Sequence, residues 1–206
     1  MFFLMASWAL GALELAMPFS DHGVLQAGKI LPVWGTALPG SEVRVTLGER
    51  GKATTASADG FWQVEFEPTE ASGVGVTLEV VAGDERLERE DLVFGEVWIA
   101  TGQSNMRWML KDCATGQEAM MKGEDAGLRV FNFQGRLHPG GARFSREFLS
   151  GLKESNYYES EGWQRASAKS LAEFSGVGYF FARKLREELD VPVGVIHLGV
   201  GGSPIE

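Results

Sequence analysis

Val93-Phe94-Gly95-Glu96-Val97-Trp98-Ile99-Ala100-Thr101-Gly102-Gln103-Ser104-Asn105-Met106 begins as a short, mostly apolar run and ends in a glycine-containing turn. The apolar part predicts a strand buried on both faces. Met106-Arg107-Trp108-Met109-Leu110 follows as a helix-compatible run, so Ser104 falls in a tight strand-to-helix turn. Unpaired N–H groups at a helix start can hold an oxyanion, and the dipole favours negative charge there. That setting suits a nucleophilic serine. The alternative is that Ser104 is only a cap for the first turn. A capping box would place Glu or Gln at position 107, and the chain has Arg107.

Downstream, Leu128-Arg129-Val130-Phe131-Asn132-Phe133 reads as another strand, after a polar, glycine-punctuated stretch from Lys111 to Gly127. From Ser175 to Leu189, Val177, Phe180, Phe181, Leu185 and Leu189 recur at helical spacing and predict the core face of a helix. Asp190-Val191-Pro192 ends it, and Val193 to Leu198 predicts a buried strand. Strand, helix and strand with a short return make a parallel βαβ arrangement in an open, doubly wound α/β sheet. Ligands of such sheets bind beyond the carboxyl ends of the strands. Ser104 lies past one end and Gly199-Val200-Gly201-Gly202-Ser203 past another, so both loops can face one crevice. Glycines there let backbone N–H groups approach an anion, although a plain glycine turn reads the same way.

Upstream, residues 13 to 92 are patterned differently. Val43 to Leu47, Trp62 to Phe66 and Val76 to Val80 alternate, with turn signals at Pro39-Gly40, Asp59-Gly60 and Gly83-Asp84. This predicts a small all-β sandwich module. Asp21-His22 invites a reading as two members of a catalytic relay, but adjacent residues on extended chain point to opposite faces. A structural junction is the expectation there. The long polar segment from Gln134 to Trp163 has the length of a functional loop, and His138 within it reads as a solvated histidine. His197, inside a buried strand, reads as a core histidine first and a site residue second. Glu96, a carboxylate in an apolar strand, calls for a structural partner.

Composition narrows the function classes. Of 206 residues, 44% are hydrophobic and 23% charged, which is a globular balance rather than a disordered one. Net charge is 19 − 28 = −9, which argues against nucleic acid or anionic membranes as partners. The single cysteine, Cys113, excludes an intrachain disulfide and reads as a small buried hydrophobe. No clustered His, Cys, Asp and Glu spacing indicates a metal, and no Walker or dinucleotide glycine loop is present. The apolar residues 2–10 are too few to span a bilayer. Residues 1–12 fit a secretory signal, although the first basic residue is Lys29, and this favours a periplasmic or extracellular location over a cytoplasmic one.

The wording of the decisive stretch adds a family. Gly95-Glu96-Val97-Trp98 followed by Gly102-Gln103-Ser104-Asn105-Met106 resembles the first block of the SGNH-type esterases, above all the sialate O-acetylesterase family and its carbohydrate-esterase relatives. Phe19 to Gln26 with Pro32-Val33-Trp34-Gly35 resembles the family's N-terminal module. Gly162-Trp163-Gln164, Phe174-Ser175-Gly176-Val177 and Gly201-Gly202-Ser203-Pro204-Ile205-Glu206 resemble further positions. The resemblance implies an SGNH-hydrolase-like domain from residue 93 to 206, hydrolysis of O-acetyl groups on sialic acid or other glycans, and Ser104 as nucleophile. It implies an oxyanion and substrate rim from Gln103, Asn105, Gly201, Gly202 and Ser203, with no cofactor. The family also has a late Asp-x-x-His block, and no Asp-x-x-His occurs in these 206 residues. The expectation is therefore the front part of a longer esterase, nearly inactive alone, with a non-catalytic carbohydrate-binding remnant as the alternative. Arg107 where relatives usually carry Glu, and Leu198-Gly199-Val200 before the glycine pair, depart from the pattern.

Overall fold

The computed structural model describes residues 12–135 and 158–201. Its strands are β1 (Glu14–Leu15), β2 (Val24–Gln26), β3 (Leu31–Thr36), β4 (Glu42–Leu47), β5 (Arg50–Thr55), β6 (Phe61–Phe66), β7 (Ser72–Ala82), β8 (Glu85–Ala100), β9 (Asp125–Asn132), β10 (Gln134–Gly135), β11 (Tyr158–Glu159), β12 (Trp163–Ala166) and β13 (Val193–His197). Helix α1 is Ser104–Arg107, α2 Gly116–Met121, α3 Ala168–Ala172 and α4 Gly176–Leu189.

Alternation builds the first core. In β4 and β6 every second residue is buried, and Val43, Val45, Leu47, Trp62, Val64 and Phe66 point inward together. They pack between the three-stranded sheet β1-β3-β6 and the strands β5-β4-β7-β8.

β8 is the spine of the molecule. Its early residues pair antiparallel with β7, and residues 96–100 pair parallel with β13. The eight-stranded sheet therefore runs β12-β9-β13-β8-β7-β4-β5, with β2 also on β8. It is a mixed α/β sheet: β8, β13 and β9 are parallel, and β12 joins β9 antiparallel. The division expected at residues 92 and 93 falls inside this one strand. Leu92 to Gly95 are all buried because β8 is covered on both faces where it crosses from one core to the next. Gly95 is required there, since a Cβ would lie 2.0 Å from the Pro192 carbonyl oxygen.

A polar cluster marks the crossing. Asp91 sits at a shift of register between β7 and β8 and has φ +57°. Its carboxylate accepts from Arg165 and Arg129 and lies 2.7 Å from His22 Nδ1. The Arg129 guanidinium, 3% exposed, also donates to the Asp91 and Gly23 carbonyls. Thus His22 serves at a junction and takes no part in a relay with Asp21, whose Oδ1 accepts from the Glu90 amide.

The second core lies on one face of β9 and β13, under α2, α3 and α4. Here the helical face matches the sequence expectation only in part: Phe180 and Leu185 pack against this core as predicted. Tyr179 and Ala182 are fully buried, with Gly178, whereas Val177, Phe181 and Leu189 are 53%, 42% and 48% exposed. Small Gly178 and Ala182 let the helix seat closely, which rotates the larger apolar residues outward. Phe181 instead meets Trp98 of β8 edge-to-face at 5.2 Å. On the opposite face, Val24, Val93, Phe131 and Trp163 form a smaller third cluster.

Candidate active site

Register brings three strand ends to one rim. His197 of β13 stands opposite Ala100 of β8 on one side and Asn132 of β9 on the other. The loops that leave these ends are stitched together: the Leu198 amide donates to Ala100 at 2.9 Å, Val200 to Gly102 at 3.1 Å, and Phe133 to His197 at 3.0 Å. The glycine loop therefore lies directly on the serine turn. A Cβ on Gly199 would lie 2.7 Å from His197 Nε2 and 3.3 Å from the Arg107 amide, and one on Gly201 would lie 4.0 Å from Ser104 Cα.

Ser104 is exposed and opens α1, which is a single turn rather than a helix running to Leu110. Gln103 holds the cap position, with no side-chain cap bond, so Ser104 is not the cap. Gly102, at φ +151°, makes the turn. One turn aligns few peptide dipoles, so little of the expected macrodipole is present. The main-chain amides of Ser104 and Asn105 have no acceptor among the described residues, leaving two donors at the rim. The segment after them is strapped to α4. Leu110 donates to the Phe174 carbonyl at 2.9 Å and Gly176 to that of Trp108 at 2.8 Å. Buried Ser175 caps α4 through Gly178 N and donates to Met106 Sδ at 3.4 Å.

His197 lies under this turn, 3% exposed. Asn132 Nδ2 donates to the Glu173 carbonyl, which turns Asn132 Oδ1 toward the ring, 2.8 Å from His197 Nδ1. Nδ1 therefore carries the proton, and Nε2, buried, has no hydrogen-bond partner among the described residues. Burial pushes the imidazole pKa down and the Arg107 charge adds to that, against an opposing effect of the Met106 main chain. The ring is neutral at pH 7. So His197 is core on one nitrogen and unsatisfied on the other.

The structure thus brings Gln103, Ser104, Asn105 and Gly201 to one rim. Gly202, Ser203, His138 and the signal-like residues 1–11 lie outside the described residues. Glu96 is half-buried without a side-chain partner among the described residues, contrary to expectation. Cys113 is half-buried, its thiol donating to the Met109 carbonyl at 3.5 Å. Among the described residues no group of His, Cys, Asp and Glu is placed to hold a metal, and no helix is long and apolar enough to cross a membrane. Asn132 and Glu173 were not legible as site residues. Their one sequence signal was the position of Asn132 at the end of a predicted strand.

No family model matches the chain. It is 28% identical over 199 residues to the sialate O-acetylesterases of Pongo abelii and Homo sapiens, covering 84% of this chain and 34% of each relative. Among solved structures it is similar to a carbohydrate acetylesterase from Xanthomonas citri, at 30% identity and a TM-score of 0.78 over 95% of this chain and 42% of that one. The chain spans about a third of the length of the curated relatives it matches. The resemblance read from the sequence and the α/β fold are borne out: the chain is homologous to part of the sialate O-acetylesterases.

Proposed function

We propose, from this kinship and from the stitching of the glycine loop onto the serine turn, that the chain carries the nucleophile and part of the oxyanion site of a glycan O-acetylesterase. Ser104 Oγ attacks the acetyl carbonyl, forming an acetyl-serine and releasing the sugar hydroxyl; water then hydrolyses the ester. The amides of Ser104 and Asn105 and the loop at Gly201 are the donors for the oxyanion, with Gly202, Ser203 and Gln103 assigned to the rim. The observation that carries this reading is the contact of the two loops at one parallel-sheet rim, where α/β folds bind ligands. Residues 13–92 form the sandwich module and 93–206 the esterase part, joined through β8. The reading includes export, on the apolar residues 2–10.

His22 is committed to Asp91, and neither it nor His197 hydrogen-bonds Ser104 among the described residues. Turnover by these 206 residues should therefore be slow, because loss of a triad member costs about four to six orders of magnitude. An activated acetate ester tests the nucleophile directly. The peptide containing Ser104 should gain one acetyl group, and Ser104→Ala should lose that label. Acetylation spread over surface lysines, with none at Ser104, would refute the reading. A second reading, a carbohydrate binder without turnover, predicts glycan binding with no acetyl-serine.

A further inference from the structure

His197 meets both loops of the rim from beneath. Its Nε2 edge faces Gly199, where an added Cβ would lie 2.7 Å from that nitrogen and 3.3 Å from both the Arg107 amide nitrogen and Met106 Cγ. The Met106 main chain also favours the protonated imidazole, as an acceptor beside the ring does, so the Met106 carbonyl faces it. The ring thus fills the space between the glycine loop and the underside of the serine turn.

The opposite edge of the ring is anchored outside both loops. Nδ1 donates to Asn132 Oδ1 at 2.8 Å, and Asn132 Nδ2 donates to the Glu173 carbonyl at 3.3 Å. Phe174, the next residue, meets the imidazole edge-to-face at 5.7 Å between centroids. β9 and the segment between α3 and α4 therefore fix where the ring stands. The tautomer matters as well. With the proton on Nδ1, no hydrogen projects from Nε2. An N–H there would reach roughly 1 Å further, into a gap too tight for a Cβ on Gly199.

We infer that His197 is a positioning residue of the rim: its hydrogen-free Nε2 edge sets how closely the glycine loop lies on the serine turn. It thereby fixes where the Ser104 and Asn105 amides stand relative to the loop at Gly201. The inference rests on the esterase reading for what the rim does, and on the geometry alone for how the rim is held.

His197→Asn separates the two edges of the ring. An asparagine side chain ends near the place of Nδ1, so it keeps a donor for Asn132 and removes the Nε2 edge. In amide NMR spectra of the whole chain, Gly199→Ala should displace the Ser104, Asn105 and Gly201 signals and leave those of Leu128 and Ala182 in place. In the His197→Asn background the same substitution should displace them less, because the added Cβ then has room. Under conditions where urea unfolding shows each chain fully folded, 4-nitrophenyl acetate should label Ser104 about ten-fold more slowly in His197→Asn than in the unaltered chain. Equal displacements by Gly199→Ala in the two backgrounds would overturn the inference. So would labelling of His197→Asn at an unchanged rate, which leaves the esterase reading standing. Coupling in the spectra with no label at Ser104 in any chain does the reverse.

Discussion

Two polar clusters lie at opposite ends of the same run of β8, and they are built on opposite rules. At Asp91 each charged group is matched: one carboxylate takes two guanidiniums and an imidazole, and the buried arginine also donates to three carbonyls. At the far end, past Ala100, the exposed Ser104 hydroxyl, two main-chain amides and His197 Nε2 have no partner among the described residues. A saturated cluster holds shape. An unsaturated one, braced by α4 behind it, keeps hydrogen-bonding capacity for something that arrives later.

Substitutions should separate the two ends by their effect on folding. The largest loss belongs to Arg129→Met, which leaves Asp91 half-matched and the Ala126, Gly23 and Asp91 carbonyls without their donor; urea unfolding should show about 3–5 kcal/mol. Asp91→Asn keeps a residue that tolerates positive φ but removes the charge, and should cost about 1–3 kcal/mol. It should also change the acid limb. Burial raises the Asp91 pKa, but hydrogen bonds from His22 and Arg165 and the charges of Arg129 and Arg165 together bring it below its ordinary value. A depressed carboxylate stabilises the fold above its unfolded pKa near 3.8 and loses that contribution as pH falls through the folded value. Asp91→Asn should therefore flatten the stability curve below about pH 4.

His197→Gln should cost about 1 kcal/mol, since only one of its nitrogens is bonded. Its folded pKa is depressed by burial, so its contribution is complete above about pH 6.5 and is lost on acidification below that; the variant should lack this slope. Smallest of all, Ser104→Ala should move unfolding by less than about 0.5 kcal/mol while removing the acetyl label. A large stability loss for Ser104→Ala, or none for Arg129→Met, would break the contrast between the two ends.

What the sequence made legible follows range. The alternation of β4 and β6, the strand before Ser104 and the turn at Gly102 are local patterns and appeared where expected, but the burial predicted for that strand stops at Gly95, and Trp98 and Ile99 are exposed. Asp91 and Arg129 lie 38 residues apart, so pairing them required the fold; inside an apolar strand Arg129 looked like an ordinary interruption. The core face of α4 was legible at Phe180 and Leu185 but missed Tyr179 and Ala182, because Gly178 and Ala182 carry little hydrophobic weight yet set how near the helix comes. Asn132 and Glu173 escaped for the same reason as the Asp91 cluster: they lie 41 residues apart and meet only in the fold.

The unbroken β8 also bears on inheritance. A recombination joint placed at the apparent boundary near Leu92 would cut a strand at the point where both its faces are buried, and would leave Asp91 in one parent and Arg129 in the other. A chimera joined there should therefore fold less well than either parent.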